Sequence, residues 1–202
     1  MSTHITEILR VTVSGRFTSE PSLHVKLRAG AAKGGLVQQL TSVTDLDVFL
    51  RMLHPVFPAQ LAPKDFQWPA ECGDFLEKFA DISTGGPVSC FLPFPLPLEA
   101  VKVPITELGF ITVKPAANRD DFSRVLDSLV SIASGAPGCL GGGWAFSSDD
   151  DSKVYCVLGW ESIGVGTEKL REQEDHKRES ELLTQFMAAA EAVHVRFATQ
   201  NI

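Results

Sequence analysis

Residues 5–13 and again residues 105–113 are rich in β-branched and apolar positions with Thr and Glu set among them, and both read as strands. The two segments, Ile5-Thr6-Glu7-Ile8-Leu9-Arg10-Val11-Thr12-Val13 and Ile105-Thr106-Glu107-Leu108-Gly109-Phe110-Ile111-Thr112-Val113, share five identities in nine at an offset of 100. Residues 48–54 and 154–160 form a second β-branched and aromatic pair at an offset of 106, which places His54 opposite Trp160. The chain therefore predicts two copies of one unit with a few insertions between them.

The second copy is the clearer. Asn118 caps a helix whose first turn carries Asp120 and Asp121, the charge that suits a helix N-terminus. Phe122, Val125, Leu126, Leu129, Val130 and Ala133 then form one apolar stripe, and Gly135 and Pro137 stop it. A strand over 139–146 follows, with Gly141-Gly142-Gly143 marking a bulge or a close backbone approach. After the acidic turn Asp149-Asp150-Asp151 come a strand over 153–161, a helix over 168–190 and a last strand over 192–198. The order is β-α-β-β-α-β, the ferredoxin-like arrangement. The first copy fits it with a helix over 20–31, strands over 36–41 and 47–53, and a Pro-rich connection over 54–68. Pro69 then opens a helix carrying Phe75, Leu76, Phe79 and Ala80 on one face, and a strand over 87–94 runs into a stiff Pro-rich linker.

Residues 1–97 and 98–202 are thus read as two ferredoxin-like repeats. A four-stranded antiparallel sheet with both helices on one face leaves its other face bare. Pairing two such sheets face to face remedies this, so the expected fold class is α+β, two repeats whose antiparallel sheets pair into a fused barrel. Such a chain can be a monomer, an intramolecular pseudo-dimer, and a homodimer stays open.

Composition narrows the function. The chain has 202 residues, 44% hydrophobic and 21% charged, with a net charge of -7. This suits a soluble globular protein and disfavours nucleic acid, which needs a clustered basic face. No apolar run approaches the length of a membrane span, and residues 1–16 lack the pattern of a secretory signal. Cys72, Cys90, Cys139 and Cys156 have no metal-ligand spacing and read as reduced thiols of a cytoplasmic protein, although Cys139 and Cys156 could face each other on adjacent strands. No metal and no cofactor are expected.

The run Ala136-Pro137-Gly138-Cys139-Leu140, then Val154-Tyr155-Cys156-Val157-Leu158-Gly159-Trp160-Glu161-Ser162 and a charged-to-apolar helix, resembles the antibiotic biosynthesis monooxygenase family of dimeric α+β barrels. The resemblance covers residues 103–198 directly and 4–95 through the repeat. It implies a barrel with a ligand cavity, in a superfamily that spans oxygenases, haem-degrading enzymes, isomerases, cyclases and proteins without a known reaction. In the family the strand-end Trp borders the cavity, and Trp160 matches it. The Asn that contacts substrate in anthrone-oxidising members, four residues earlier, is Cys156 here. The His of haem-degrading members, ten residues after the Trp, is Leu170, and the first strands lack the accompanying Asn.

Candidate site residues follow. Trp160 would stack an aromatic ligand, or else pack sheet against helix as a core residue. His54 would act as general base at the rim equivalent to Trp160, or else is a turn residue before Pro55. Arg10 would steady developing negative charge, or else snorkels. Phe110 and Thr112 lie two residues apart on one strand face and would line the pocket, with Tyr155 as an oxygen anchor or packing residue. His194 and Arg196 share a strand face of undecided direction. His176 sits in a charge run that reads as a solvated helix face. The function expected is a small-molecule enzyme with an apolar barrel pocket, a cofactor-independent oxygenase, isomerase or cyclase acting on an aromatic or polyketide-like substrate in secondary metabolism. The alternative is a non-catalytic ligand-binding or protein-interaction member of the same superfamily.

Overall fold

The computed structural model describes residues 6–12, 14, 16, 19, 20, 25, 29, 30, 32, 33, 36–42, 48–55, 69–85, 88–92, 98–162 and 164–200, with only the backbone path given for 11, 36–42, 48–55, 75, 76, 82, 88–91, 98, 99, 165–167, 199 and 200. The chain divides into two compact units, Met1–Pro95 with Ala198–Ile202, and Leu96–Phe197.

The first unit contains β1 (Thr6–Thr12), β2 (Leu36–Ser42), β3 (Val48–Pro55) and β4 (Val88–Leu92), and its sheet has the order β4-β1-β3-β2-β9, where β9 is Phe197–Gln200 at the end of the chain. Ile8, Leu9 and Leu92 are buried in it. The helix Phe75–Ile82 is capped by Asp74, whose side chain accepts from the Glu77 amide, and buries Phe79. That helix begins six residues after Pro69, which instead precedes a separate 3-10 turn, Ala70–Cys72. Most of the helix expected over 20–31, the connection over 56–68 and the linker over 93–97 lie outside the described residues.

The second unit opens with a short helix, Leu98–Val101, and continues through β5 (Ile105–Val113), the helix Arg119–Ser134, β6 (Cys139–Phe146), β7 (Lys153–Trp160), the helices Val165–Glu172 and Glu174–Phe186, and β8 (Met187–Val195). Its antiparallel sheet has the order β6-β7-β5-β8. Numbered within each unit, both four-strand orders are 4-1-3-2, the ferredoxin-like order.

The local reasons match the residues. The Asn118 side chain accepts from the amides of Asp120 and Asp121, closing the first turn of its helix. The apolar stripe of that helix meets the sheet through Phe122, which is fully buried and stands edge-on to Trp144 and Phe186, with ring centroids 6.3 Å apart in each case. The Trp144 indole N–H donates to Asp127 at 2.8 Å, tying β6 to the same helix. In the glycine run the ladder slips between Cys139 and Gly141, and a Cβ on Gly142 would stand 2.6 Å from the Val157 carbonyl oxygen. The bulge and the close approach are therefore both present. On the other face, Gly159 lets the helix Leu98–Val101 approach, since a Cβ there would lie 2.7 Å from the Ala100 Cα, and the Thr106 hydroxyl donates to the Ala100 carbonyl at 2.9 Å.

Two expectations are corrected. The last helical stretch does not reach residue 190: it breaks at Gln173, ends at Phe186, and β8 starts at Met187. Lys114 takes the released carbonyls, its amide donating to Phe186 and its ammonium to Gln185, each at 2.8 Å. Pairing of Ala189, Ala190 and Ala192 with β5 then outweighs the helix preference of the alanine run. Cys139 and Cys156 do not face each other either: the ladder sets Cys139 opposite Trp160 and Cys156 opposite Trp144, and both thiols are free.

Phe122→Ala is expected to destabilise the fold by about 3–5 kcal/mol, because Trp144, Phe146 and Phe186 around it cannot all collapse into the void. Urea unfolding monitored by circular dichroism measures this; a loss under about 1 kcal/mol would show that Phe122 is not the keystone of this layer.

Candidate functional site

Strand parity sorts the second unit's side chains into two sets. Ile105 pairs with Trp160 and Phe110 with Tyr155, in a ladder without a slip. Five residues separate Ile105 from Phe110, so the two pairs lie on opposite faces. Glu107, Gly109, Ile111, Cys156, Leu158 and Trp160 share the face that packs on the helices, whereas Thr106, Leu108, Phe110, Thr112, Tyr155 and Val157 share the other.

On the helix side the packing is incomplete. A cleft of about 470 Å³ opens between the sheet and the helices Arg119–Ser134 and Glu174–Phe186. That volume falls within the roughly 300–1,000 Å³ usual for small-molecule sites. Its walls are mostly apolar, with Ile111, Leu126, Leu129 and Leu183 among them, and its charged and titratable lining includes Glu107, Arg171 and His176.

Glu107 is the chemical centre of the cleft. It projects from the middle of an apolar strand, its side chain 25% exposed. The Trp160 indole N–H donates to its Oε2 at 2.9 Å, and His194 Nε2 faces the same oxygen from 3.6 Å, beyond hydrogen-bond reach. That imidazole nitrogen is buried without a hydrogen-bond partner. Trp160 itself is 1% exposed and packs on Ala133, Ala136 and Leu170.

The titratable groups around Glu107 are shifted. Burial, and then the charge of Arg171, hold the His176 imidazole below its ordinary value, while Glu107 partly opposes them. His176 is therefore neutral near pH 7 and able to accept a proton. Burial, reinforced by the Glu107 charge, pushes the Cys156 thiol up to about 12, so it remains an un-ionised cleft wall. The Cys139 thiol is raised mainly by burial and also by Glu107, against an opposing hydrogen bond to Gly141. Among the described residues, no group of three or more His, Cys, Asp or Glu is arranged to hold a metal ion.

The structure separates the expected site residues. Phe110 and Tyr155 meet edge-on, centroids 5.7 Å apart, on the face away from the cleft. Thr112 lies on that face too, its hydroxyl accepting from the Lys153 ammonium at 2.8 Å. Trp160 lies on the cleft face, in the core reading, yet its N–H reaches the group that defines the cleft. Arg10 is half-buried in β1 of the first unit, paired with Leu50 and Val88. His54 lies in β3, where only its backbone is described, opposite Gln38. Its equivalence with Trp160 is corrected by the ladders. Arg10 pairs with Leu50 as Phe110 pairs with Tyr155, so the offset between β3 and β7 is 105 and His54 matches Gly159. Leu170, at the position of the haem-ligating His, is a buried side chain with no ligating atom, 5% exposed.

Glu107 and Arg171 are not singled out by the sequence, and His176 and His194 are left outside the expected site. Glu107 carried a readable signal, a carboxylate on an otherwise apolar strand face with Glu7 repeating it. His176 did not, because its neighbours Glu172, Glu174, Asp175, Lys177 and Arg178 are all exposed and only their half-buried companion turns to the cleft. His194 becomes meaningful only through its ladder partner, Glu107.

No family model matches the chain, and no curated protein does. Solved structures do match. A candidate monooxygenase from Fusobacterium nucleatum is 15% identical, with a TM-score of 0.68 over 99% of this chain and 95% of that one. A second, from Lactobacillus acidophilus, is 13% identical, with a TM-score of 0.63 over 98% of this chain and 96% of that one. A cofactor-independent oxygenase from Streptomyces nogalater matches over 45% of this chain and 88% of its own, 14% identical, with a TM-score of 0.40. Along its whole length the chain has the α+β fold of the first two structures, in agreement with the resemblance to antibiotic biosynthesis monooxygenases.

Proposed function

We propose that the protein is a small-molecule enzyme that performs cofactor-independent acid/base chemistry, as an oxygenase, isomerase or cyclase, on an aromatic or polyketide-like molecule. The observation that carries this is the cleft itself: apolar walls around a carboxylate, a neutral imidazole and a guanidinium within one cavity. His176 takes a proton from an enolisable or phenolic substrate, and Arg171 opposes the negative charge left behind. Cys156, where anthrone-oxidising members carry Asn, lines this same cleft, which supports placing the substrate there. The fold shared with two candidate monooxygenases supports it by analogy.

The second reading, a ligand-binding protein without turnover, draws on the same Cys156, because an un-ionised thiol is a poor substitute for an amide that orients a substrate. We further propose that residues 1–97 and 98–202 act as two repeats whose sheets pair as a fused barrel in a cytoplasmic, monomer-capable protein. In that arrangement His54 and Arg10 of the first unit serve a second polar site. Phe110, Thr112 and Tyr155 line the space between the sheets. Sedimentation as a monomer is expected, and an obligate dimer contradicts the internal pairing.

Native mass spectrometry of the full chain tests the pocket. A bound organic molecule is expected with the native sequence and should be absent from Leu129→Trp, which fills the cleft. A ligand retained by that variant places the pocket elsewhere. Turnover of the released ligand separates the enzyme from the binding protein. By NMR, the His176 imidazole is expected to titrate below about pH 6.5, the ordinary histidine value. Its lowered folded pKa also means that the unfolded chain binds this proton first, so its contribution to stability is full above that value and lost as pH falls through the folded pKa. A His176 titration at or above 6.5 would remove it as the neutral proton acceptor.

A further inference from the structure

Both groups that approach the Glu107 carboxylate do so at one oxygen. The Trp160 indole N–H holds Oε2 at 2.9 Å, and His194 Nε2 stands 3.6 Å from that same atom. Among the described residues nothing donates to Oε1, although Glu107 lines the cleft. A fixed carboxylate with one oxygen tied back and the other left to an apolar cavity is an acceptor awaiting a donor, since a carboxylate accepts only. The charge of Glu107 also reaches Cys139, Cys156 and His176, in each case as a smaller influence than burial.

We infer that Glu107 is the specificity-determining anchor of the cleft, taking through Oε1 a hydrogen bond from a hydroxyl at the inner end of an otherwise apolar ligand, with Trp160 as its positioning residue. This rests on the cleft being the ligand pocket. The rest of the ligand lies along Leu126, Leu129 and Leu183, and Glu191 and Arg171 add opposite charges to the same lining. A ligand of the same shape without the donor leaves Oε1 desolvated and unpaired, which is the most effective way a site rejects an analogue. No bond is made or broken in this step: the hydroxyl proton is shared between ligand oxygen and Oε1, and its transfer belongs to the chemistry that follows.

Two probes that differ only by the methyl group capping the donor test it on the full chain: 4-butylphenol and its methyl ether, 4-butylanisole, with binding followed by calorimetry and by NMR of the cleft side chains. The phenol is expected to bind about tenfold or more tightly than the ether. In Glu107→Gln the indole N–H keeps the amide oxygen, so the amide N–H₂ replaces Oε1 and offers donors instead of an acceptor. The preference should then fall to about parity. Equal binding of both probes to the native cleft, or a preference that survives in Glu107→Gln, overturns the assignment and leaves the cleft itself standing. Tighter binding of 4-butylbenzylamine than of the phenol overturns it in favour of a cationic ligand. If neither neutral probe reaches the cleft, the pocket reading and the Glu107 assignment fall together.

Discussion

The two-residue period of β5 and β7 is the constraint on which the rest of the second unit depends. Because partners across an antiparallel ladder share a face, fixing Ile105 opposite Trp160 also fixes Glu107, Gly109 and Ile111 toward the helices and Leu108, Phe110 and Thr112 away from them. A slip of one residue would put a carboxylate on the opposite face and bury Phe110 against the helices. Burial of Phe122 and Val154 on one side, and of Leu108 and Val157 on the other, holds that register.

Within this frame the site arises from a packing deficit next to a polar intrusion. Glycine at 109 and alanines at 133, 190 and 192 leave the helix layer short of volume beside Glu107, and the cleft is the result. A half-buried carboxylate in such a place needs hydrogen-bond partners to offset its burial, and the Trp160 N–H supplies one. The same indole closes the core through Ala133, Ala136 and Leu170, so one side chain serves packing and electrostatics together. The neutral state of His176 follows from the same apolar surroundings and from Arg171, not from any property of its exposed neighbours.

Much of the fold was legible in the residues. The stripe from Phe122 to Ala133, the Asn118 cap and β5 all fall where periodicity and capping put them. The failures share a physical origin in pairing between distant segments. Ala188 to Ala190 favour helix alone but are drawn into a ladder with β5, and the His54–Trp160 match fails because the strand offset is 105 and not 106. Likewise Trp160 and Tyr155 looked like members of one site, whereas five residues along a strand place them on opposite faces. Glu107 was visible as an outlier of composition, but its partners come from β7 and β8, and only the assembled sheet brings Trp160 and His194 to it. The last residues join the sheet of the first unit as β9, so a division of the chain into two consecutive halves misses that both termini build one unit.

The central claim is that ligand chemistry belongs to the helix side of the second sheet. Methyl NMR of the full chain, with Ile, Leu and Val labelled, under saturation with a small apolar aromatic ligand, tests this most directly. Shifts confined to the cleft methyl groups of Ile111, Leu126, Leu129, Val130, Leu158, Leu170 and Leu183 are the result this account requires. Shifts confined to Leu108, Val157 and Val195, on the opposite face, would contradict it.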